Sequence, residues 1–268
     1  MSFYSPEKGS LLISMSDTLP VRHCFTTRLG GVSTGILASM NLGVHRGDDP
    51  ENVLENYRIL GEAVGFDPEK CVCAVQVHGK AIKVARAEDW GKGVYAKADY
   101  EADGLVTCVP GTALFVYSAD CGTVLLHDPV TGAVGACHAG WRGTALGIAA
   151  ETVRAMVREY GARPEEIRCA LGPCISKCCF ETDADVPEAM RLGLGEKAEA
   201  AITKNGSKYH VDIKLCNRLF LEEAGILPEH IDISPECTAC HPDRYWSARR
   251  HGNDRGSLAA VIVAGGRP

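Results

Sequence analysis

Aromatic residues are scarce in this chain: Trp, Tyr and Phe together make up 6% of its 268 residues. That scarcity disfavours a stacking platform for single-stranded nucleic acid. An excess of positive charge is missing too. Lys and Arg number 28 against 34 Asp and Glu, a formal net charge of −6, so no nucleic-acid partner is expected. No run of 18 apolar residues occurs, and no membrane partner is expected either. The segment Met1–Asp17 carries one short apolar cluster, Leu11-Leu12-Ile13, too brief for the core of an export signal. The expected location is the cytoplasm. Internal repeats and low-complexity linkers are also lacking, which favours one domain over residues 1–268.

Cysteine, in contrast, is plentiful. There are 13, an odd number in a long chain without an export signal, so reduced thiols are expected rather than disulfides. Apolar residues reach 46% and charged residues 23%, ordinary for a globular protein. A chain of this length buries about three-quarters of its unfolded surface and needs no covalent staples.

Periodicity and punctuation place the elements. Asp49 caps a helix that Pro50 opens and Gly65 closes, with Val53, Leu54, Tyr57, Leu60 and Val64 at three- and four-residue spacing. A second helix is predicted from about Thr144 to Tyr160, and a third over Ile213–Ala224 behind the cap Asp212. Strand-like runs occupy 72–77, 81–85, 104–107, 113–118, 167–171 and 258–263. Strands outnumber helices and often follow one another directly, which predicts an α+β fold.

The most informative stretch runs from Ala119 to Gly143. Two β-rich segments, 123–127 and 133–138, flank Asp128-Pro-Val-Thr-Gly132, the chemistry of a hairpin turn. Reflection about a midpoint between Pro129 and Val130 sets Cys121 opposite His138. Residues facing across antiparallel strands lie roughly 5 Å apart at Cβ. A Cys beside a His reads in three ways: a buried thiol next to a satisfied imidazole, a nucleophilic dyad, or part of a metal site. His78, at the end of the run 72–77 and before Gly79, is the best third ligand for a metal. His2Cys suits zinc and leaves a position for a reactant; copper also fits.

Beyond His138, the turn Ala139-Gly-Trp-Arg-Gly143 joins a strand to a helix. Its free N–H groups and Arg142 suit a phosphate or carboxylate. Asp120 is placed to orient a ligand or move a proton, and Arg249 in Ser247-Ala-Arg-Arg250 offers a second anion contact. Cys237-Thr-Ala-Cys-His241 matches the haem-attachment pattern, which belongs to exported proteins, and reads as coincidence. A structural zinc there needs a second pair of ligands, and Cys174, Cys178 and Cys179 have no knuckle spacing. Histidines two apart, on which clustered-copper oxidases rely, do not occur.

Taken together, these motifs resemble the YfiH-type laccase-domain family, also called the purine nucleoside phosphorylase or peptidoglycan-editing-factor family. The resemblance rests on Thr26-Thr-Arg-Leu-Gly-Gly-Val-Ser33, Asn41-Leu-Gly43, Asp48-Asp-Pro-Glu-Asn-Val53, Gln76-Val-His-Gly79, Ala102-Asp-Gly-Leu-Val-Thr107, Ala119-Asp-Cys121, His138-Ala-Gly-Trp-Arg-Gly-Thr144, Gly172-Pro173 and Cys237-Thr238 through Arg250, in family order. It implies a single-domain α-β-β-α sandwich and a zinc site of His78, Cys121 and His138 that is also the catalytic centre. Arg28, Asn41, Gln76, Asp120, Trp141, Arg142 and Arg249 become the expected substrate contacts. The implied activity is phosphorolysis of adenosine, inosine, guanosine and methylthioadenosine, with deamination of adenosine. Purine nucleosides and phosphate are then the partners. A copper polyphenol oxidase and a hydrolase editing UDP-muramoyl-serine precursors are the alternatives such a family offers.

Overall fold

A computed structural model describes residues 2–265. Two sheets form the middle of the molecule. In the first, the strand order is Phe3–Tyr4, Leu11–Ser16, His23–Thr26, Leu258–Val263, Ala113–Ser118 and Cys71–Val72, with Glu7–Lys8 paired to Leu11–Ser16. In the second it is Ile231–Ile233, Arg168–Leu171, Gly122–His127, Val134–Ala139, Gly104–Thr107 and Ile82–Val84. Each sheet mixes parallel and antiparallel pairs: Cys71–Val72 and Ile82–Val84 run parallel to their neighbours.

Both faces of each sheet are covered, and strand alternation shows how. Along Leu258–Val263, Ala259, Val261 and Val263 pack outward with Val53, Tyr57 and Leu60 of helix α1 (Pro50–Val64). Ala260 and Ile262 point inward, toward Leu105, Leu125, Val134, Ala136 and Ala170 of the second sheet. The outer face of that second sheet takes Ile148, Val153 and Met156, together with Leu221. These come from α3 (Ile148–Tyr160) and α5 (Ile213–Glu223), the short α2 (Trp141–Ala145) leading into α3. The four layers are therefore α-β-β-α, and the α+β expectation holds. Each apolar side chain buried on both sides contributes about 1.5–3 kcal/mol, so strands apolar on both faces are the natural middle of such a stack. Outside it, α4 (Asp185–Leu194) packs with a small sheet of Glu181–Thr182, Lys208–Val211 and Ile202–Asn205. A last short helix, α6 (Ala248–His251), starts behind the cap Ser247.

Three local expectations are corrected. The run 72–77 pairs as a strand only at Cys71–Val72. Beyond it Cys73 and Val75 keep isolated backbone bonds, to Lys92 and to Tyr100 and Ala102, and from Gln76 onward side chains take over. Gln76 exchanges hydrogen bonds with the Tyr117 backbone, and Asp103 accepts from the N–H groups of Val77, His78 and Gly79. The helix predicted from Thr144 begins at Trp141 and breaks at Gly147, whose φ of 75° no helix admits. The hairpin register also differs. The Asp128 N–H donates to Ala133 and Gly132 to Asp128, so His138 faces Thr123 and Ala139 faces Gly122. The loop is thus longer at its closing side, and Cys121 lies two positions off the expected register. A shift of two keeps a side chain on the same face, whereas a shift of one would have removed it.

Candidate metal and ligand site

Cys121 sits in the tight link between strands 113–118 and 122–127, where the Ser118 hydroxyl donates to the Cys121 carbonyl at 2.8 Å. His138 ends strand 134–139, and His78 stands in the loop that replaced the expected strand. Their ligand atoms all lie within 4.8 Å of one another. The two imidazoles meet edge to face at 90°, centroids 4.8 Å apart. Burial is graded: His138 is buried, Cys121 half-buried and His78 exposed. Two imidazoles and a thiol at one point, one of them open to solvent, fit a borderline-soft divalent ion with a free position.

One residue that sequence reasoning passed over builds this corner. Asp103 is buried, and one carboxylate oxygen accepts from His138 Nδ1 at 2.8 Å. The same carboxylate takes the N–H groups of Val77, His78 and Gly79 at 3.1, 3.0 and 2.7 Å. It therefore turns His138 so that Nε2 faces the trio, and it holds His78 at a φ of +60°, a conformation rare outside glycine. The signal was in the sequence: Ala102-Asp-Gly is an acidic turn just before strand 104–107. Gly140 closes the other side. A Cβ there would lie 3.1 Å from His78, 3.2 Å from the Cys121 sulfur and 3.2 Å from His138, so this glycine is demanded by close approach.

The electrostatics follow from these neighbours. Burial pushes the Cys121 thiol up, but hydrogen bonds to His138 and His78 outweigh it and bring it down to about 6. Burial works against a charged His138, while Asp103 and Cys121 together hold it up to about 9. Burial also raises the Asp103 carboxyl, yet its bonds to His138 and the loop N–H groups leave it below the usual range. Without an ion, then, the corner rests as thiolate and imidazolium near neutral pH.

The trio opens on a cavity of about 830 Å³, whose wall includes Arg46, Gln76, Lys97, Tyr117, Arg255 and Ser257. That volume suits a small-molecule ligand. Nε and one terminal nitrogen of Arg255 are buried without a protein acceptor, so this wall residue keeps unpaired donors beside the cavity. Of the seven expected substrate contacts, Gln76 alone is on this wall. Asn41 is fully buried behind it and accepts from the N–H groups of Gly43 and Ser257. Asp120, at φ +91°, accepts from Thr238, Ser247 and the Arg249 N–H. Arg28 lies over Trp246 and donates to Pro242 and Ala38. The exposed Arg142 stacks on half-buried Trp141, 4.1 Å from its ring centre. The Arg249 guanidinium donates to the carbonyls of Cys179 and Glu181.

Comparison with known proteins agrees with this architecture. "Purine nucleoside phosphorylase YlmD" of Geobacillus stearothermophilus is 38% identical over 90% of this chain and 88% of its own length. "Purine nucleoside phosphorylase LACC1" of Mus musculus is 36% identical over 95% of this chain; the chain spans 59% of that longer protein. The crystal structure of YlmD from Geobacillus stearothermophilus superposes with a TM-score of 0.92 at 34% identity, covering 98% of this chain and 99% of that one. Residues 22–265 match the family described as "Multi-copper polyphenol oxidoreductase laccase". A match of that extent, over a fold shared nearly end to end, makes this chain a member of the laccase-like YfiH family.

Proposed function

We propose that this chain, working as one unit over residues 1–268, is a zinc enzyme that splits purine nucleosides with phosphate. The observation that carries the reading is the convergence of His78, Cys121 and His138 on the wall of an 830 Å³ cavity. It is supported by relatives that bear the name purine nucleoside phosphorylase. Adenosine, inosine, guanosine and methylthioadenosine are the candidate substrates, and deamination of adenosine is a second activity of the same site.

In phosphorolysis a phosphate oxygen bonds to the sugar C1′ as the bond from C1′ to the base nitrogen breaks. The electron pair of the broken bond leaves with the purine. Two negative charges thus need support, one arriving and one departing. Arg46, Lys97 and Arg255 supply the cations of the wall. Arg255, with its unpartnered N–H groups, is the anchor for phosphate. When bound by His78, Cys121 and His138, zinc supplies a Lewis acid for the charge that develops beside them. Asp103 keeps His138 Nε2 and His78 aimed at one point, so that little rearrangement is needed when the ion enters. Gln76, tied to the Tyr117 backbone, fixes the wall between trio and base.

The test is a product analysis. Metal-quantified protein is incubated with adenosine, inosine and methylthioadenosine, with and without phosphate, and products are separated by chromatography. Free base should appear with phosphate, vanish on chelation and return with Zn²⁺. If the His78→Ala, Cys121→Ala and His138→Ala variants turn over like the unaltered protein, the site is wrong. Activity that survives chelation but stops when Cys121 is alkylated would assign the corner to a thiolate nucleophile instead. A second reading, a copper phenol oxidase, is favoured by the family description. Oxygen uptake with a phenol in copper-loaded protein, absent from zinc-loaded protein, would establish it.

A further inference from the structure

We propose that Cys178, Cys179, Cys237 and Cys240 form a second metal centre, a closed tetrahedral thiolate site for a single zinc ion. The four sulfurs lie within 4.8 Å of one another. Three pairs are known individually: Cys178–Cys179 at 3.8 Å, Cys178–Cys240 at 3.6 Å and Cys179–Cys240 at 3.5 Å. A tetrahedral ion with Zn–S bonds of about 2.3 Å holds its sulfurs roughly 3.8 Å apart. The observed spacing is therefore that of ligands around one ion. It is far longer than a disulfide, near 2.0 Å. Iron–sulfur clusters distribute their thiolates over separate irons and spread them more widely, so four mutually adjacent sulfurs favour a mononuclear site.

Two turns, far apart in sequence, deliver the sulfurs. In one, the N–H groups of Cys179 and Phe180 donate to the Ser176 carbonyl. In the other, those of Cys240 and His241 donate to the Cys237 carbonyl. The turns are joined where Thr238 donates to the Cys174 carbonyl, and the Ser176 N–H points at the Cys237 sulfur at 3.3 Å. Cationic side chains frame the group. Arg249 donates to the carbonyls of Cys179 and Glu181, and Arg250 to that of Ala239. Four thiolates around a divalent ion leave a net charge of −2, which this framing offsets. Cys174, the first of the five cysteines in these two segments, is buried and stays outside the cluster, its thiol directed to the Ile175 carbonyl.

The same turns grip Asp120. Ile175 donates to its backbone carbonyl at 2.9 Å, and the Thr238 hydroxyl to its carboxylate at 2.6 Å. Cys121 is the next residue. An ion holding the two turns together thus also fixes the approach to the His2Cys corner without touching it, a positioning role.

The experiment separates the two centres by removing one at a time. Full-length protein is produced with Zn²⁺, purified without chelator and its metal counted. The double variant His78→Ala, Cys121→Ser should keep about one zinc ion per chain. After exchange with Co²⁺ it should show the intense visible bands and strong sulfur-to-metal charge transfer of a tetrahedral all-thiolate site. The double variant Cys178→Ser, Cys240→Ser, both at exposed positions, should lose that ion and that spectrum. It should also be cut faster by protease in segments 172–182 and 234–250. If a variant fails to fold, X-ray absorption on the unaltered protein decides. A shell of more than two sulfurs per zinc supports the second centre, because the corner has a single thiolate. A metal-free first variant with four freely titrating thiols overturns the proposal. So does a mass showing a disulfide, or stoichiometric iron with cluster absorption.

Discussion

Two sulfur-bearing sites stand on either side of Asp120, and they are built on opposite plans. The His78–Cys121–His138 corner has three donors, a buried carboxylate behind them and a cavity in front. The cysteine cluster has four donors, backbone N–H and guanidinium groups around it, and no place on the cavity wall. Closed four-ligand sites hold structure, whereas three-ligand sites keep a position for a reactant. The lesson is that ligand count and what lies in front of the ligands separate the roles, even though both sites draw on cysteine.

The comparison breaks most visibly at the corner itself. His138→Ala or Cys121→Ala should remove its ion and lower kcat/KM at least ~10³-fold, the scale of losing a key charge-stabilising element at the reacting centre. Gly140→Ala should cost less, without altering a ligand, because its methyl would displace all three by a few tenths of an ångström. Metal analysis of each variant checks both, and the cysteine cluster should keep its ion throughout. A Gly140→Ala protein with full occupancy and rate would show that the corner is loosely packed. Asp103→Asn ranks next. Asparagine retains one acceptor for the loop but cannot take the same set of N–H donors, so zinc affinity at the corner should fall about 10–100-fold. A competitive chelator titration measures it.

How far the sequence foretold these sites follows from which forces act locally. Helix α1 was legible because its cap, its opening proline and its closing glycine are neighbours of its own apolar stripe. Strands 104–107, 113–118 and 258–263 were legible as unbroken apolar runs, the mark of strands covered on both faces. Cys121 and His138 emerged from hairpin symmetry even though the register was two residues off, since parity survives such a shift, and His78 from its place between the run 72–77 and Gly79. Asp103 did not emerge. Its role is to bond the backbone of a loop 25 residues away, and the acidic turn Ala102-Asp-Gly marks a local feature without telling which backbone the carboxylate serves. The cysteine cluster was half visible: Cys237 and Cys240 have a ligand spacing, but adjacent Cys178 and Cys179 match no compact knuckle. Only the packing of two distant turns against Asp120 brings the pairs together.

A smaller effect concerns the anion. Arg255 has buried N–H groups without a partner and faces the cavity, while Arg142 stacks on Trp141 away from that wall. Removing a charge-assisted hydrogen bond costs about 1.5–3 kcal/mol, tenfold or more in binding. Arg255→Gln should therefore raise the phosphate KM about tenfold and leave zinc content alone. Arg142→Gln should change that KM by less than about twofold. Steady-state kinetics with phosphate varied will rank them, and the reverse order would move the phosphate to the start of α2.

The smallest effect is counted in protons, and it tests the contrast between the sites directly. At the corner, Cys121 is already a thiolate above about 6, and His138 keeps its proton up to about 9. Zinc entering between those values must displace that imidazolium proton, but no thiol proton from Cys121. As pH falls below about 6, Cys121 gains a proton that the ion must also remove. Above about 9, His138 has already lost its own, so that contribution vanishes. In the cysteine cluster, partial desolvation and the thiols of Cys240 and Cys237 push Cys178 up to about 12, and they raise Cys179 against the opposing bond from Cys178. Those two thiols arrive protonated at neutral pH, and zinc must displace both. Calorimetry at pH 7.5 in buffers of different ionisation heat, on the two double variants that each keep one centre, gives the counts. More protons should leave per zinc at the four-cysteine centre than at the corner. Equal release would mean either that Cys178 and Cys179 are not both protonated at pH 7.5, or that Cys121 keeps its proton beside a protonated His138.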